Sequence, residues 1–288
     1  MNIKVTLDKF KNHNKPTKSE TSIISNRIAC NENIIDLQIE EFANYLVQPN
    51  GFTWSPTVFK GNFRRNNEWE NQQLFGLDFD NGITLEEVID RCNKYNIKPV
   101  FAYSTFSSVN NNKFRLAFVN NHIIEDYRVR TLIQLALMNL FPECDKSCKD
   151  ASRLYFGGKE IIYNNYEAII NVPELIEGLV HYFTDTMKNN YLKKIKTFCS
   201  DVGIDMINGY PKIIKENVDK STSTPPLLLY TNRTCANSVL FDYSIYFSKE
   251  NIKNNHTHNE DDKPKKIKYN IDNEKVKRDK MLRRYKIM

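Results

Sequence analysis

The stretch Gln72-Gln73-Leu74-Phe75-Gly76-Leu77-Asp78-Phe79-Asp80-Asn81 constrains the fold most. Its apolar density predicts a buried strand, yet it carries two acids. Side chains alternate along a strand, so Phe75, Leu77 and Phe79 point one way and Leu74, Gly76, Asp78 and Asp80 the other. Two carboxylates one repeat apart on an apolar element repel each other and resist burial unless a cation sits between them. A divalent ion meets that need, and Mg²⁺, which prefers hard oxygen ligands, is commonly held by one or two carboxylates and substrate phosphates. The bland alternative is an edge strand running out into solvent, with Asp80-Asn81-Gly82 as its turn. A pair held apart only by metal predicts that neutralising either acid leaves stability unchanged or raised.

The chain has 288 residues, 40% of them hydrophobic, enough for one sizeable domain with appendages. Its net charge of +6 favours a polyanionic partner. No apolar run reaches membrane-spanning length, and the N-terminus lacks the apolar core of a signal peptide. Cys30, Cys92, Cys144, Cys148, Cys199 and Cys235 are scattered, which reads as reduced thiols in a cytoplasmic protein without membrane partners. Cys144 and Cys148 have the spacing of half a zinc site, but no second Cys or His pair follows closely.

Hydrophobic spacing predicts a strand over 3–7, a helix over 35–47 and a short strand and turn over 54–61. The basic pair Arg64-Arg65 precedes the acidic strand and is a candidate contact to a polyanion. Thr84 and Glu87 form a capping box for a helix over 84–95. Further strands are predicted over 98–103, 113–118 and 153–156, with a helix over 124–141 and another opening at Asn171-Val172-Pro173 that reaches toward Cys199. The order suggests an α+β protein: a mixed sheet with helices packed on it, plus a small N-terminal unit and a C-terminal helix. Its organisation reads as a catalytic domain over 1–170, a helical extension over 171–214, and a linker with a largely disordered basic tail over 215–288.

Four features then fall in sequence: Asp78-x-Asp80, Ser104-Thr105-Phe106-Ser107-Ser108, Lys113-x-Arg115, and Asp145…Asp150-x-Ser152-Arg153. Metal-dependent phosphoryl transfer needs acids for the ions and cations for the triphosphate. Asp78 and Asp80 would hold metal, with Asp145 or Asp150 as the third acid. Lys113, Arg115 and Arg153 would hold phosphates, because guanidinium suits bidentate phosphate contacts. Ser104, Ser107, Ser108 and Ser152 are candidate nucleotide contacts beside them.

Three pieces together resemble the archaeo-eukaryotic primase superfamily, in the primase-polymerase branch of phages, plasmids and mobile elements. They are Phe75-Gly76-Leu77-Asp78-Phe79-Asp80-Asn81, then Tyr103-Ser104-Thr105-Phe106-Ser107-Ser108 with Lys113-Phe114-Arg115-Leu116-Ala117-Phe118, and Asp145 with Asp150-Ala151-Ser152-Arg153-Leu154-Tyr155-Phe156. The resemblance spans roughly 51–158. It implies a modified RNA-recognition-type sheet and a DNA replication primase or polymerase. Such a nucleotidyltransferase uses Mg²⁺ or Mn²⁺, nucleoside triphosphates and a single-stranded or primed DNA template, with a replicative helicase as partner. The family often carries Ser-x-His in its second motif, and this chain has no histidine there. That departure keeps a second reading alive, a non-catalytic DNA-binding replication protein on the same scaffold. A glycosyltransferase using Asp-x-Asp leaves the later Arg115 and Ser152-Arg153 features unexplained.

Overall fold

The small N-terminal unit consists of β1 (Asn2–Leu7), α1 (Lys18–Arg27), β2 (Ile34–Gln38), α2 (Ile39–Leu46) and β3 (Trp54–Ser55). Its strands form an antiparallel sheet with β1 in the middle. The main sheet follows, from β4 (Thr57–Phe59), β5 (Trp69–Phe79), α3 (Leu85–Lys94), β6 (Phe101–Thr105), β7 (Phe114–Ile124), α4 (Tyr127–Leu140) and β8 (Gly158–Asn164). Helices α5 (Val172–Met187) and α6 (Tyr191–Val202) come next, α5 packing against α4 and α6 against α5. The computed structural model describes residues 1–80, 82–214 and 243–248. Most of the linker and all of the basic tail expected after residue 214 lie outside the described residues. No helix among the described residues is long and apolar enough to cross a membrane.

The main sheet has the order β4-β5-β7-β6-β8, and each neighbouring pair is antiparallel. β7 therefore lies between β5 and β6, which run parallel to each other across the α3 connection, a split β-α-β unit. The α+β class is as expected, and the sheet expected to be mixed shows antiparallel pairing at every neighbour. The acidic strand is interior and buried from Asn71 to Phe79, and Asp80, just past its end, is exposed.

Alternation along β5 gives two buried faces. On one, Phe79 stacks on Phe114 at 4.9 Å between ring centroids and meets Phe141 edge-on, just after α4. On the other, Gly76 and Asp78 face the N-terminal unit. Phe42 of α2 packs there on both Trp54 and Phe101. Thr84 caps α3 through the complete capping box that the sequence predicted.

The strand predicted over 98–103 lies at Phe101–Thr105 and the one over 113–118 runs on to Ile124, and four further boundaries shift for visible reasons. The helix expected over 35–47 begins only at Ile39, because residues 34–38 pair with β1 as β2 and the sheet's hydrogen bonds outweigh local helical spacing. The helix expected from 124 begins at Tyr127, since Ile124 still pairs with Gln72 in the sheet. The strand expected over 153–156 is a single bridge: Tyr155 exchanges both backbone bonds with Trp54, and regular pairing starts at Gly158. The helix opening at 171 breaks at Lys188, whose φ of 44° lies outside helical space, and resumes as α6.

Gly76 is required by close approach. A Cβ there would lie 2.8 Å from the Tyr155 ring, whose hydroxyl donates to the Gly76 carbonyl at 2.7 Å and whose face stacks on Trp54 at 4.8 Å. We expect Gly76→Ala to destabilise the fold by about 1–3 kcal/mol through overpacking, measured by urea unfolding. Parental stability in this variant would show that the Tyr155 layer is loosely packed.

Candidate active site

The register of β5, β7 and β6 sets Asp78 opposite Arg115, and Arg115 opposite Tyr103. Directly opposed side chains on one face must interact. Arg115 Nε donates to Asp78 Oδ1 at 3.1 Å and Nη2 to Oδ2 at 3.4 Å, while Nη1 donates to the Phe156 carbonyl. Tyr103 and Tyr155 rings each lie 5.8 Å from the guanidinium carbon. Both charges are buried, Asp78 at 4% exposure and Arg115 at 9%. Burial works against the Arg115 charge, but the Asp78 carboxylate and the Tyr103 oxygen outweigh it and hold the guanidinium above its usual pKa.

The second acid arrives on a 3₁₀ turn, Lys146–Lys149, that docks on the end of β5. Asp145 N donates to the Asp78 carbonyl at 2.8 Å, and Asp78 N donates to Cys148 Sγ at 3.3 Å. The Cys144 thiol supports that sulfur, and this bond is the main reason that the Cys148 pKa is lowered. Arg153 then joins the two acids. Its Nη2 donates to Asp145 Oδ2 at 2.7 Å and to Asp78 Oδ2 at 3.2 Å. Its Nη1 donates to Ser147 Oγ, and that hydroxyl donates to Asp145 Oδ2 at 2.6 Å. Burial raises the Asp145 pKa, but the Ser147 hydroxyl and amide and the Arg153 charge together hold it below its ordinary value.

The structure thus brings Asp78, Asp145, Arg115 and Arg153 into one network. Asp80 and Lys113 lie beside it, each one residue past the last paired position, Phe79 with Phe114. Neither makes an ion pair among the described residues. Asp150 turns away: its Oδ1 accepts from the amide and hydroxyl of Ser152, both at 3.2 Å. Ser152 is otherwise fixed by its amide to Asn66 Oδ1. Ser104 is fully buried with an unpartnered hydroxyl, and Ser107 is exposed. Ser108 is buried, its Oγ accepting from Lys113 N at 3.1 Å and its carbonyl from Lys159 Nζ at 2.5 Å. It therefore closes the β6–β7 turn. Arg64 is half-buried and committed to Ser25 Oγ and the Ser152 carbonyl, whereas Arg65 is exposed over the Phe63 ring.

Two contributors escape the sequence reading. Ser147 orients both Asp145 and Arg153, and Asp145-x-Ser147 is a turn-forming pattern that could have flagged it. Tyr155 covers Gly76 and both arginines, and only the pairing of Trp54 with Tyr155 reveals it.

Among the described residues no three metal-ligating side chains cluster. Two carboxylates do converge, on a single cationic nitrogen. Two hard-oxygen donors sharing one cation match the protein's usual share of a Mg²⁺ or Mn²⁺ site, which substrate phosphates and water complete. The donor chemistry fits, with Arg153 standing in the shared position.

No protein-family profile matches the chain, and no curated protein does. Among solved structures, the chain is similar to the AEP domain of the cyanophage S-2L primase-polymerase (PrimPol). The match covers 62% of this chain and 88% of that one, at 12% identity and a TM-score of 0.38. A likeness at that level decides neither fold nor chemistry, which rest on the pairings and contacts above.

Burial of the ion pair reverses one expectation. Asp78→Asn should lose about 3–5 kcal/mol of stability, because it strands a buried guanidinium. Asp80→Asn should stay within about 0.5 kcal/mol of the parent, as an exposed side chain without an ion-pair partner among the described residues. Chemical denaturation of the two variants checks this. Equal stabilities would mean that Asp78 and Arg115 are not a buried pair in solution.

Proposed function

We propose that this chain is a DNA replication primase-polymerase, transferring nucleotides from NTP or dNTP to a primer or initiating nucleotide on a DNA template. The observation that carries this reading is the convergence of Asp78 and Asp145, from separate elements, on one cation position, with Asp80 and Lys113 beside it. Asp78 and Asp145 would hold Mg²⁺ or Mn²⁺, and Asp80, one residue past the end of β5, would have to swing in to join them. A bound divalent ion there would act as a Lewis acid toward the triphosphate oxygens. Arg115 is a positioning residue in this account, because all three of its donor nitrogens are committed and two of them fix the Asp78 carboxylate. Lys113 and Arg153 are the cations available to phosphate. Arg65 is the better placed of the two candidate DNA contacts, since Arg64 is committed to Ser25 and Ser152. Single-stranded or primed DNA is the template, and a replicative helicase is the expected partner in the cytoplasm.

A specific observation favours the second reading. The acids are already neutralised by two guanidiniums, and Ser108, in the second motif where the family often has histidine, is buried in its own turn. A non-catalytic replication protein that binds DNA on this scaffold would be satisfied by that state.

Primer synthesis on single-stranded circular DNA, with Mg²⁺ or Mn²⁺ and each nucleotide type, separates the two. We expect metal-dependent product from the parent, at least a hundredfold less from the folded Asp80→Asn variant (on the scale of losing one transition-state charge contact), and no inflection near pH ~6.5. DNA binding without product under any condition would establish the non-catalytic protein.

A further inference from the structure

Arg115 and Arg153 hold the same carboxylate in different ways. Arg115 sits on a regular strand and directs Nε, Nη1 and Nη2 to acceptors, with its side chain 11% exposed. Arg153 sits in the irregular segment before the Tyr155 bridge, with its side chain 22% exposed. Its contact to Asp78 comes from the same Nη2 that already serves Asp145, and it is not bidentate. Its Nε is buried and makes no hydrogen bond among the described residues. Buried donors are seldom left unmade, because water has been lost and nothing replaces it. Arg153 is thus a cation in a position that satisfies the acids better than it satisfies Arg153 itself.

We propose that Arg153 is an internal counter-cation, occupying the position shared by Asp78 and Asp145 until a divalent ion arrives with nucleotide, and then turning its guanidinium to the triphosphate. This rests on the metal-dependent reading above. The driving chemistry is charge exchange. Two carboxylates facing each other without a cation repel, so an empty site would cost stability, and one guanidinium removes that cost. A divalent ion brings twice the charge and hard-acid affinity for the same oxygens. The displaced guanidinium, with an unused Nε beside its Nη donors, offers the forked geometry that phosphate oxygens accept. Arg115 cannot make this exchange, since its release would strand a buried charge.

The consequence is a pair of effects of opposite sign at one residue. Arg153→Gln removes the competitor, so Mn²⁺ without nucleotide should bind roughly tenfold or more tightly than to the parent, about 1.4 kcal/mol. The same variant should bind dNTP in the presence of saturating Mn²⁺ roughly tenfold or more weakly. Lys9→Gln, which removes one charge from an exposed surface pair with Glu32, should leave both affinities unchanged. Free Mn²⁺ is read by electron paramagnetic resonance and nucleotide binding by calorimetry, using the full chain. Should Arg153→Gln fold poorly, Arg153→Lys keeps the charge but cannot span both acids and Ser147 at once. It should shift Mn²⁺ affinity in the same direction. A parent that binds Mn²⁺ while neither variant binds it more tightly overturns the counter-cation role and leaves the metal site standing. Absence of Mn²⁺ binding by parent and variants alike overturns both. Weakening of both Mn²⁺ and nucleotide affinity by Arg153→Gln would show a merely structural arginine.

Discussion

The buried pair between Asp78 and Arg115 is the constraint on which the rest depends. Taking both charges out of water is costly, and the cost is met only where geometry and extra hydrogen bonds are good. Here the opposed register of β5 and β7 brings the groups together, and the Phe156 carbonyl takes the remaining direction of the guanidinium. Tyr103 and Tyr155 then exclude water on either side, and Trp54 locks both, donating to the Tyr103 hydroxyl at 2.9 Å and stacking on Tyr155. The N-terminal unit is therefore part of the site's electrostatics. Its role is to keep the dielectric low over a carboxylate whose orientation is fixed by its partner.

That fixed carboxylate organises the second acid. The turn carrying Asp145 docks through the Asp78 backbone, using both its carbonyl and its amide. Arg130 of α4 donates to the Lys149 carbonyl at 2.7 Å and to Gln72 Oε1 of β5 at 3.3 Å, tying the end of the same turn to the helix and the main sheet. Arg153 closes the network at its solvent side. The result is a graded site: a buried pair inside, the partly exposed Arg153 bridging Asp78 and Asp145 at the rim, and Asp80 and Lys113 outside, neither in an ion pair among the described residues. Such grading suits chemistry in which one acid must never move and its neighbours must accept a ligand.

Much of this was legible in the chain. Alternation along 74–80 put Asp78 opposite in face to Phe75, Leu77 and Phe79, and the same alternation put Lys113 and Arg115 together on the next strand pair. What alternation does not contain is register. A face is a property of one strand, whereas the direct opposition of Asp78 and Arg115 is a property of two. Sequence alone therefore makes Arg115 a phosphate ligand, whereas the structure commits its guanidinium to Asp78. Asp145 and Asp150 were equivalent by sequence, and only the docking of the 3₁₀ turn separates them, turning Asp150 back on Ser152. Residues 34–38 show the same limit from the other side, since their helical spacing yields to an edge position beside β1. Composition predicts a strand at Tyr155, whereas its single bridge to Trp54 leaves Arg153 on one side and Phe156 on the other free of sheet pairing and in contact with the site.

The central claim is that Asp78 and Asp145 share one cation position in which a guanidinium and a divalent ion compete. Anomalous diffraction from crystals soaked with Mn²⁺ and a non-hydrolysable nucleotide tests it at the atoms concerned. The account predicts a Mn²⁺ peak in contact with both carboxylates, with Arg153 withdrawn to the phosphates and Arg115 still paired with Asp78. Nucleotide bound with no Mn²⁺ at these acids, or Mn²⁺ elsewhere while Arg153 still bridges them, would contradict it.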